Sequence, residues 1–375
     1  MEVNSATKEE YSKTSEVFFF KYDSGKTYLR GLRILFSKVS HAISPGDSVA
    51  VKVHMGEYGG STYLRPALVR RVCDLIKEVG GKPFVTDTTT LYPAKRFTAN
   101  EYLATAAFNG FTKESLDAPV VIADGEEGYD GEWVDISRQV SDCSLNKVKV
   151  AREILKADSL IFLSHFKGHE LSGFGGSIKN VAMGCVTKES KAAQHRVNRG
   201  EIDLDKCNGC GDCVEVCRFK ALSVVNEKVV RDDTRCMNCN QCLYLCPQKA
   251  YYLPAGAKEK FQIYLAHAAD GVLSRFRNKV AFINFVQDVT PLCDCAVPSG
   301  LPIVSDIGIL ASTDMVAVDK ASLDLIARAK AIGKYSEIAS PDILGKIHGT
   351  DCLVQIRTAQ EIGLGNMIYE LCEVD

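Results

Sequence analysis

Fifteen cysteines are spread over 375 residues, and eight of them fall in two runs of identical spacing. The first is Cys207-x-x-Cys210-x-x-Cys213-x-x-x-Cys217. The second, Cys236-x-x-Cys239-x-x-Cys242-x-x-x-Cys246, ends on Pro247. Two such runs are the ligand pattern of a two-cluster ferredoxin, in which the fourth cysteine of each run binds the other run's cluster. The spacing therefore predicts one [4Fe–4S] cubane on Cys207, Cys210, Cys213 and Cys246, and a second on Cys236, Cys239, Cys242 and Cys217. Zinc ribbons use C-x-x-C pairs, not triples. Disulfides need an oxidising compartment, and Met1–Phe20 has no secretory n-region, apolar h-region and cleavage site. One position breaks the repeat: Arg218 follows Cys217 where Pro247 follows Cys246. A cation there is expected to raise one cluster's potential relative to the other.

A second set of polar residues follows apolar runs. Ser48–Val53 ends at His54-Met55-Gly56-Glu57, Pro83–Thr86 at Asp87, Val120–Ala123 at Asp124-Gly125, and Ser159–Leu163 at His165-Phe166-Lys167-Gly168-His169. In open α/β sheets ligands bind outside the carboxyl ends of the strands, so these groups are expected to share one crevice. Strand alternation would place His165, Lys167 and His169 on one face, able to converge on an anion or a metal. Gly173–Asn180 either offers backbone N–H groups at a helix N-terminus to an anion, with Lys179 adding charge and Asn180 beside it, or serves close packing or a mobile lid. It lacks the G-x-x-x-x-G-K-S/T of a Walker-type nucleotide site.

Cys293-Asp294-Cys295 is not expected to form an ordinary disulfide, because alternating neighbours point apart. A ligand pair for a metal or cluster (with Cys185 and a histidine), a reactive thiol pair, and two independent cysteines all remain open. Glu57 and Asp306 are weaker acid/base candidates. Lys191 and His195 read as a solvated helix face, and His41, His267 and His348 receive no role.

The elements that must position these groups alternate in type. After a polar start, Met1–Ser15, come a β-rich run at Glu16–Tyr22 and a helix with Leu29, Leu32, Leu35, Phe36 and Val39 on one face. A helix begins near Pro66, another covers Ala99–Phe108, and helical patterns are read at Val148–Ala157, Ala255–Phe276 and Val354–Ile362. Val280–Val286 is a buried strand. The helix after Asp306-Ile307-Gly308 takes Ser312 or Thr313 as its N-cap, with Asp314 in its first turn. The pattern predicts an α/β fold, an open and mostly parallel sheet flanked by helices. Residues 16–199 and 256–375 would form one discontinuous domain, and 200–255 an inserted ferredoxin-like α+β domain.

Apolar residues make up 46% of the chain, net charge is −2 and pI about 6.4. That balance gives no electrostatic footprint for nucleic acid, and no apolar run reaches the ~20 residues of a membrane span. Fifteen cysteines without an export signal point to a reducing, anaerobic cytoplasm.

Taken together, Lys52–Glu57, Asp87–Tyr92, Ile122–Gly125, His165–His169, Gly173–Gly176 with Lys179-Asn180, the eight paired-run cysteines, Cys293-Asp294-Cys295 and Asp306–Gly308 resemble the iron–sulfur-centre proteins grouped as "domain of unknown function 362". The resemblance runs from about Val49 to Leu371 and implies a cluster-bearing α/β protein without a settled reaction. Ser177 (for alanine) and Arg218 (for proline) depart from the pattern. The expected function is an oxidoreductase whose ferredoxin module relays electrons between a redox partner protein, a ferredoxin or an oxidoreductase, and a crevice. That crevice would be built from His54, Asp87, His165, Lys167, His169, Lys179, Asn180, Cys293 and Cys295, with an anionic small molecule as substrate. The alternatives are a non-catalytic electron-transfer subunit docking a partner enzyme, and a metal- or cluster-handling protein with a third site at Cys293 and Cys295.

Overall fold

The computed structural model describes residues 14–22, 26–140, 143–276, 278–338 and 341–375. Most of the polar start lies outside them.

Among these residues, eight strands form one sheet. The chain lays down β1 (Ser15–Lys21), α1 (Tyr28–Val39), β2 (Ser48–Val53), α2 (Pro66–Glu78), β3 (Lys82–Asp87), α3 (Ala99–Phe108) and β4 (Val120–Ile122). It continues with β5 (Ser159–His165), α4 (Ser177–Gly184), α5 (Ala257–Leu273), β6 (Val280–Val286), β7 (Gly308–Ser312), α6 (Met315–Arg328) and β8 (Tyr369–Glu373). In space the order is β8-β1-β7-β6-β5-β2-β3-β4. Only β7 runs against its neighbours; the other pairings are parallel. The mostly parallel α/β sheet expected from the sequence is present.

Alternation along each strand sorts residues onto two faces. Val49, Val51 and Val53 of β2 and Ile161 and Leu163 of β5 pack with α1, α2 and α3. Ala50, Leu160 and Phe162 face α4, α5 and α6. All seven residues of β5 are buried, as a strand covered on both faces must be. Each of its Leu, Ile and Phe side chains contributes roughly 1.5–3 kcal/mol by leaving water. The helix starts are local: Pro66 opens α2, and Thr98 with Glu101 forms a capping box on α3.

Three elements differ from expectation. Val148–Ala157 is not one helix. Lys147–Ala151 is a strand paired with Gly131–Asp135, followed by a four-residue helix; the Lys-Val-Lys-Val alternation carries the period of a strand. Gly308–Ser312 is a sheet strand, so Ser312 is spent there and donates to the Glu16 carbonyl. Asp314 therefore caps α6, accepting from Val316 and Ala317 N–H. The tail forms β8 beside β1.

Residues 201–252 add no strand to this sheet. They make two small two-stranded sheets, Glu201–Ile202 with Tyr251–Tyr252 and Leu222–Val225 with Lys228–Arg231. Their own small core holds Cys213, Leu222, Val229 and Tyr251. The 29-residue offset between Cys207 and Cys236 extends to the backbone. Gly209 and Asn238, Gly211 and Asn240, and Lys220 and Lys249 are pairs at that offset, and every member has positive φ. Two copies of one loop geometry follow.

Candidate functional site

β2 leads to β3 and β4 on one side, and the chain then returns to lay β5 on the other side of β2. Outside the carboxyl ends of β2 and β5, where strand order reverses, an open α/β sheet leaves a crevice. A cavity of about 210 Å³ occupies it. His54, Asp87, His165, Lys167, His169, Lys179, Asn180 and Cys295 line this cavity, and Cys239, Asn240 and Tyr244 of the cysteine-rich segment complete its wall. Of the nine residues expected in the crevice, Cys293 alone stands behind the wall, bonded to Cys295.

The cavity is built from paired buried charges, as charges withdrawn from water must be. Lys52 Nζ lies 2.8 Å from Asp87 and donates to Asn180 Oδ1 at 2.7 Å. Gly184 makes this possible, since a Cβ there would collide with the ammonium group. Asp87 also accepts from the Tyr102 hydroxyl and from Thr88 N–H. Burial alone would raise the Asp87 carboxyl, but Lys52, His54 and Arg96 outweigh it and hold it at about 2. Arg96 donates to Glu57 at 3.0 Å, so Glu57 is occupied. Asp306 is exposed and accepts from Asp288 N–H.

His165, Lys167 and His169 do not share one strand face. β5 ends at His165, and Lys167–His169 turns back as a hairpin against Gly173–Gly175. His165 Nδ1 is 2.9 Å from both Asp294 oxygens, and its Nε2 is 2.9 Å from the Gln287 carbonyl. Both ring nitrogens are thus engaged by protein groups. Lys167 donates to the His165 carbonyl at 2.8 Å and sits 3.3 Å from Asp294. Burial would raise the Asp294 carboxyl, yet His165 and Lys167 keep it well below its usual range. Asp294 is the hub that sequence reasoning missed. Its only signal was its place between two cysteines.

Gly173–Asn180 is not a backbone cradle for an anion. Asp319 from α6 already takes the N–H groups of Ser177 and Ile178, at 2.7 and 2.9 Å. What α4 offers the cavity is Lys179. Among the described residues it is the cavity cation with no acceptor in hydrogen-bonding or ion-pairing reach. Burial, with Lys167 and Arg96 nearby, lowers its amine to about 7.

Lys191 and His195 are not a solvated face. The segment 188–198 is folded back under the strand ends. Lys191 donates to Thr88 Oγ1 at 2.7 Å and lies 3.8 Å from Asp124, with burial lowering it to about 8. His195 stacks on Phe261 at 4.8 Å, and burial lowers it to about 4. His54 and His169 are also held well below 6.5, chiefly by burial. Each accepts backbone N–H at Nδ1, from Gly56 and from Leu171 and Ser172. Both rings therefore carry their hydrogen on Nε2.

Cys293 and Cys295 form a disulfide. The alternation that keeps neighbours apart belongs to extended chain. Here the loop turns, with Ala296 N–H bonded to the Cys293 carbonyl, and the two sulfurs meet. Cys185 is packed in the core and takes no part.

In the cysteine-rich segment, Cys207, Cys210, Cys213 and Cys246 surround one small cavity. Cys217, Cys236, Cys239 and Cys242, with Cys213, line another. Backbone N–H groups of Ala221, Val229 and Ala250 point at Cys217, Cys207 and Cys246 sulfurs, at 3.3 to 3.4 Å. The first and last of these bonds are repeats of each other, 29 residues apart. Asn238 and Asn240, flanking Cys239, donate to the Ala192 and Asn198 carbonyls at 3.0 and 2.8 Å, which pins Cys239 to the cavity wall. Arg218 lies over Phe97, 4.7 Å from the ring, and 3.6 Å from Glu101. It is a docking contact between the segment and α3.

Fold and site define an α/β protein with a cysteine-rich module closing its crevice. The chain belongs to the family described as Domain of unknown function (DUF362), whose profile matches residues 49–324. It is 29% identical to a thylakoid-associated protein of Synechocystis sp., over 46% of this chain and 50% of that protein, and so spans about half that relative's length. It is 32% identical to Ferredoxin-3 of Nostoc sp., over 13% of this chain and 71% of that protein. Among solved structures, the lactate racemase apoprotein of Thermoanaerobacterium thermosaccharolyticum matches 88% of this chain and 60% of its own, at 12% identity and TM-score 0.37. A Thermotoga maritima protein matches 69% of this chain and 49% of its own, at 11% identity and TM-score 0.38. Among the described residues no helix is long and apolar enough to cross a membrane.

Proposed function

We propose that this chain is an iron–sulfur oxidoreductase. Residues 200–255, inserted between 16–199 and 256–375, hold two [4Fe–4S] clusters and exchange electrons with a redox partner protein, a ferredoxin or an oxidoreductase. The crevice holds a small anionic substrate. The observation that carries this reading is Cys239, a cysteine of the second run that is also a wall of the cavity containing Lys179, His54 and His169.

The cysteines suit the group. All eight line two small cavities, Cys213 shared between them, and backbone N–H groups aimed at thiolate sulfur are a recognised means of tuning cluster potential. The ferredoxin match over a small part of the chain supports the same class. When bound, the clusters supply one-electron transfer. The crevice residues do the rest: Lys179 binds the anion, and His54 and His169 present Nε2–H as hydrogen-bond donors to it.

Anaerobic reconstitution with iron and sulfide tests this. About eight irons and eight labile sulfides per chain are expected, with reducible cluster signals by electron paramagnetic resonance. Cys239→Ala should lose the signal of the crevice-side cluster and keep the other. A chain that takes up zinc alone, or no iron, sinks the proposal.

A second reading has one observation in its favour: ligand atoms of His169, Cys293 and Cys295 lie within 4.8 Å of one another, as a metal site would require. It needs the disulfide opened and a free histidine lone pair, whereas Nδ1 of His169 is engaged by two backbone donors. A stoichiometric metal other than iron in the purified protein would favour it.

A further inference from the structure

We propose that the Cys293–Cys295 disulfide is a redox-active group of the crevice, an internal two-electron acceptor. This rests on the electron-relay reading above and names the chemical end of that relay.

Placement is the first ground. Cys295 is partly exposed in the cavity wall, with Cys293 buried behind it, and Cys239 lines the same cavity of about 210 Å³. A cysteine of the proposed iron–sulfur module and one cysteine of the disulfide thus line one small space.

The second ground is the absence of a structural need. A disulfide stabilises largely through the loop it closes, and this one closes over a single residue. The loop is already held without it. Asp294 is gripped by His165 and Lys167, and Thr62 bonds to Asp294 at 3.3 Å and to Ser299 at 2.8 Å. Opening the S–S bond therefore leaves the loop held, with the two sulfurs needing only to part to non-bonded contact, the condition for a reversible couple.

The third is the neighbour. A ring nitrogen of His169 lies within 4.8 Å of both sulfurs, and its Nδ1 bonds leave the hydrogen on Nε2. This ring is better arranged to donate a hydrogen bond to a nascent thiolate than to ligate a metal.

The step balances as Cys293–S–S–Cys295 + 2 e⁻ + 2 H⁺ → two thiols. The S–S bond breaks, two S–H bonds form, and the disulfide is reduced. The electrons arrive singly from an iron–sulfur one-electron donor, which is oxidised, and the protons enter from solvent through the open cavity. The dithiol then offers a two-electron reductant to a molecule bound at Lys179.

A reductive titration tests this on reconstituted full-length protein under argon, with titanium(III) citrate as reductant. The readouts are visible cluster bleaching and iodoacetamide alkylation of the peptide bearing Cys293 and Cys295. Wild type should take up about two electrons more than the Cys293→Ser/Cys295→Ser variant, and both cysteines should become alkylated only after reduction. Iron-free protein given the same reductant should keep the pair closed. Should wild-type clusters bleach while the pair stays unalkylated, or the iron-free protein open it equally fast, the inference is overturned and the relay reading stands. If no iron binds, or the clusters never bleach, both fall. The alkylation arm needs only wild type, so a variant that fails to fold does not remove the test.

Discussion

At the scale of single residues, the crevice is defined by which charges have partners. Lys52 has Asp87, and breaking that buried pair should be costly. Asp87→Asn leaves an ammonium group under-compensated in the interior and is expected to lower stability by about 3–5 kcal/mol in denaturant unfolding. Because the native Asp87 carboxyl titrates at about 2, below its ordinary 3.8, its contribution is present above about pH 4. It is lost as pH falls through about 2. An Asp87→Asn chain as stable as wild type at neutral pH would contradict the pairing.

Lys179 is the opposite case, a cation without a partner. Lys179→Met should unfold at a temperature no lower than wild type, since the native amine is held below its unfolded value. Inorganic sulfate, which does not titrate in this range, should bind the variant roughly ten- to a hundredfold more weakly by calorimetry, as loss of a charged hydrogen bond of about 1.5–3 kcal/mol implies. In wild type, sulfate affinity should fall as pH rises through about 7, where Lys179 loses its proton, and the variant should show no such step. A pH-independent wild type would remove Lys179 from anion binding.

At the scale of elements, the contacts that matter join the module to the sheet domain. Arg218 meets Glu101 and Phe97 at the surface, and exposed ion pairs and cation–π contacts each contribute about 1 kcal/mol or less. Arg218→Pro, which copies the second run, should therefore change global stability by no more than about 1–2 kcal/mol and leave iron content unaltered. A large loss of iron would mean that Arg218 supports cluster binding directly. The anchors beside Cys239 differ in kind. Asn238 and Asn240 are both at positive φ and both donate across the junction, which makes this loop the better candidate for setting the module's distance from the cavity. Element type was legible wherever the apolar period was clean, as in β5 and α1. It failed at Val148–Ala157, where a short strand runs into a helical turn, and at β7 and β8, where tertiary pairing overrode weak local preference.

At the scale of the whole molecule, two cores of different origin sit side by side. The sheet domain buries two extensive apolar clusters, whereas the module's core is a handful of residues, several of them the run cysteines themselves. On the proposed function, a core this small is expected to draw folding energy from the clusters it would hold. Iron chelation should therefore remove hydrogen-exchange protection from amides of 201–252 while β5 and β6 keep theirs. Simultaneous loss in both regions would show that the module is integral to the α/β fold.

The sequence by itself determined the α/β class, the strand ends that carry the polar groups, and the paired cysteine runs. Each of these depends on local spacing: period two in strands, the offset repeat in the runs, polar residues directly after apolar ones. Only the tertiary structure decided which groups are engaged. Asp294 lies 129 residues from His165, Asp319 closes a helix that starts 142 residues earlier, and the segment with Lys191 and His195 turns inward. The same holds for Cys293 and Cys295, whose meeting depends on how their loop bends. Partnership between distant side chains leaves no periodic trace, because the backbone path that brings them together is set by packing of the whole sheet and not by their neighbours in sequence.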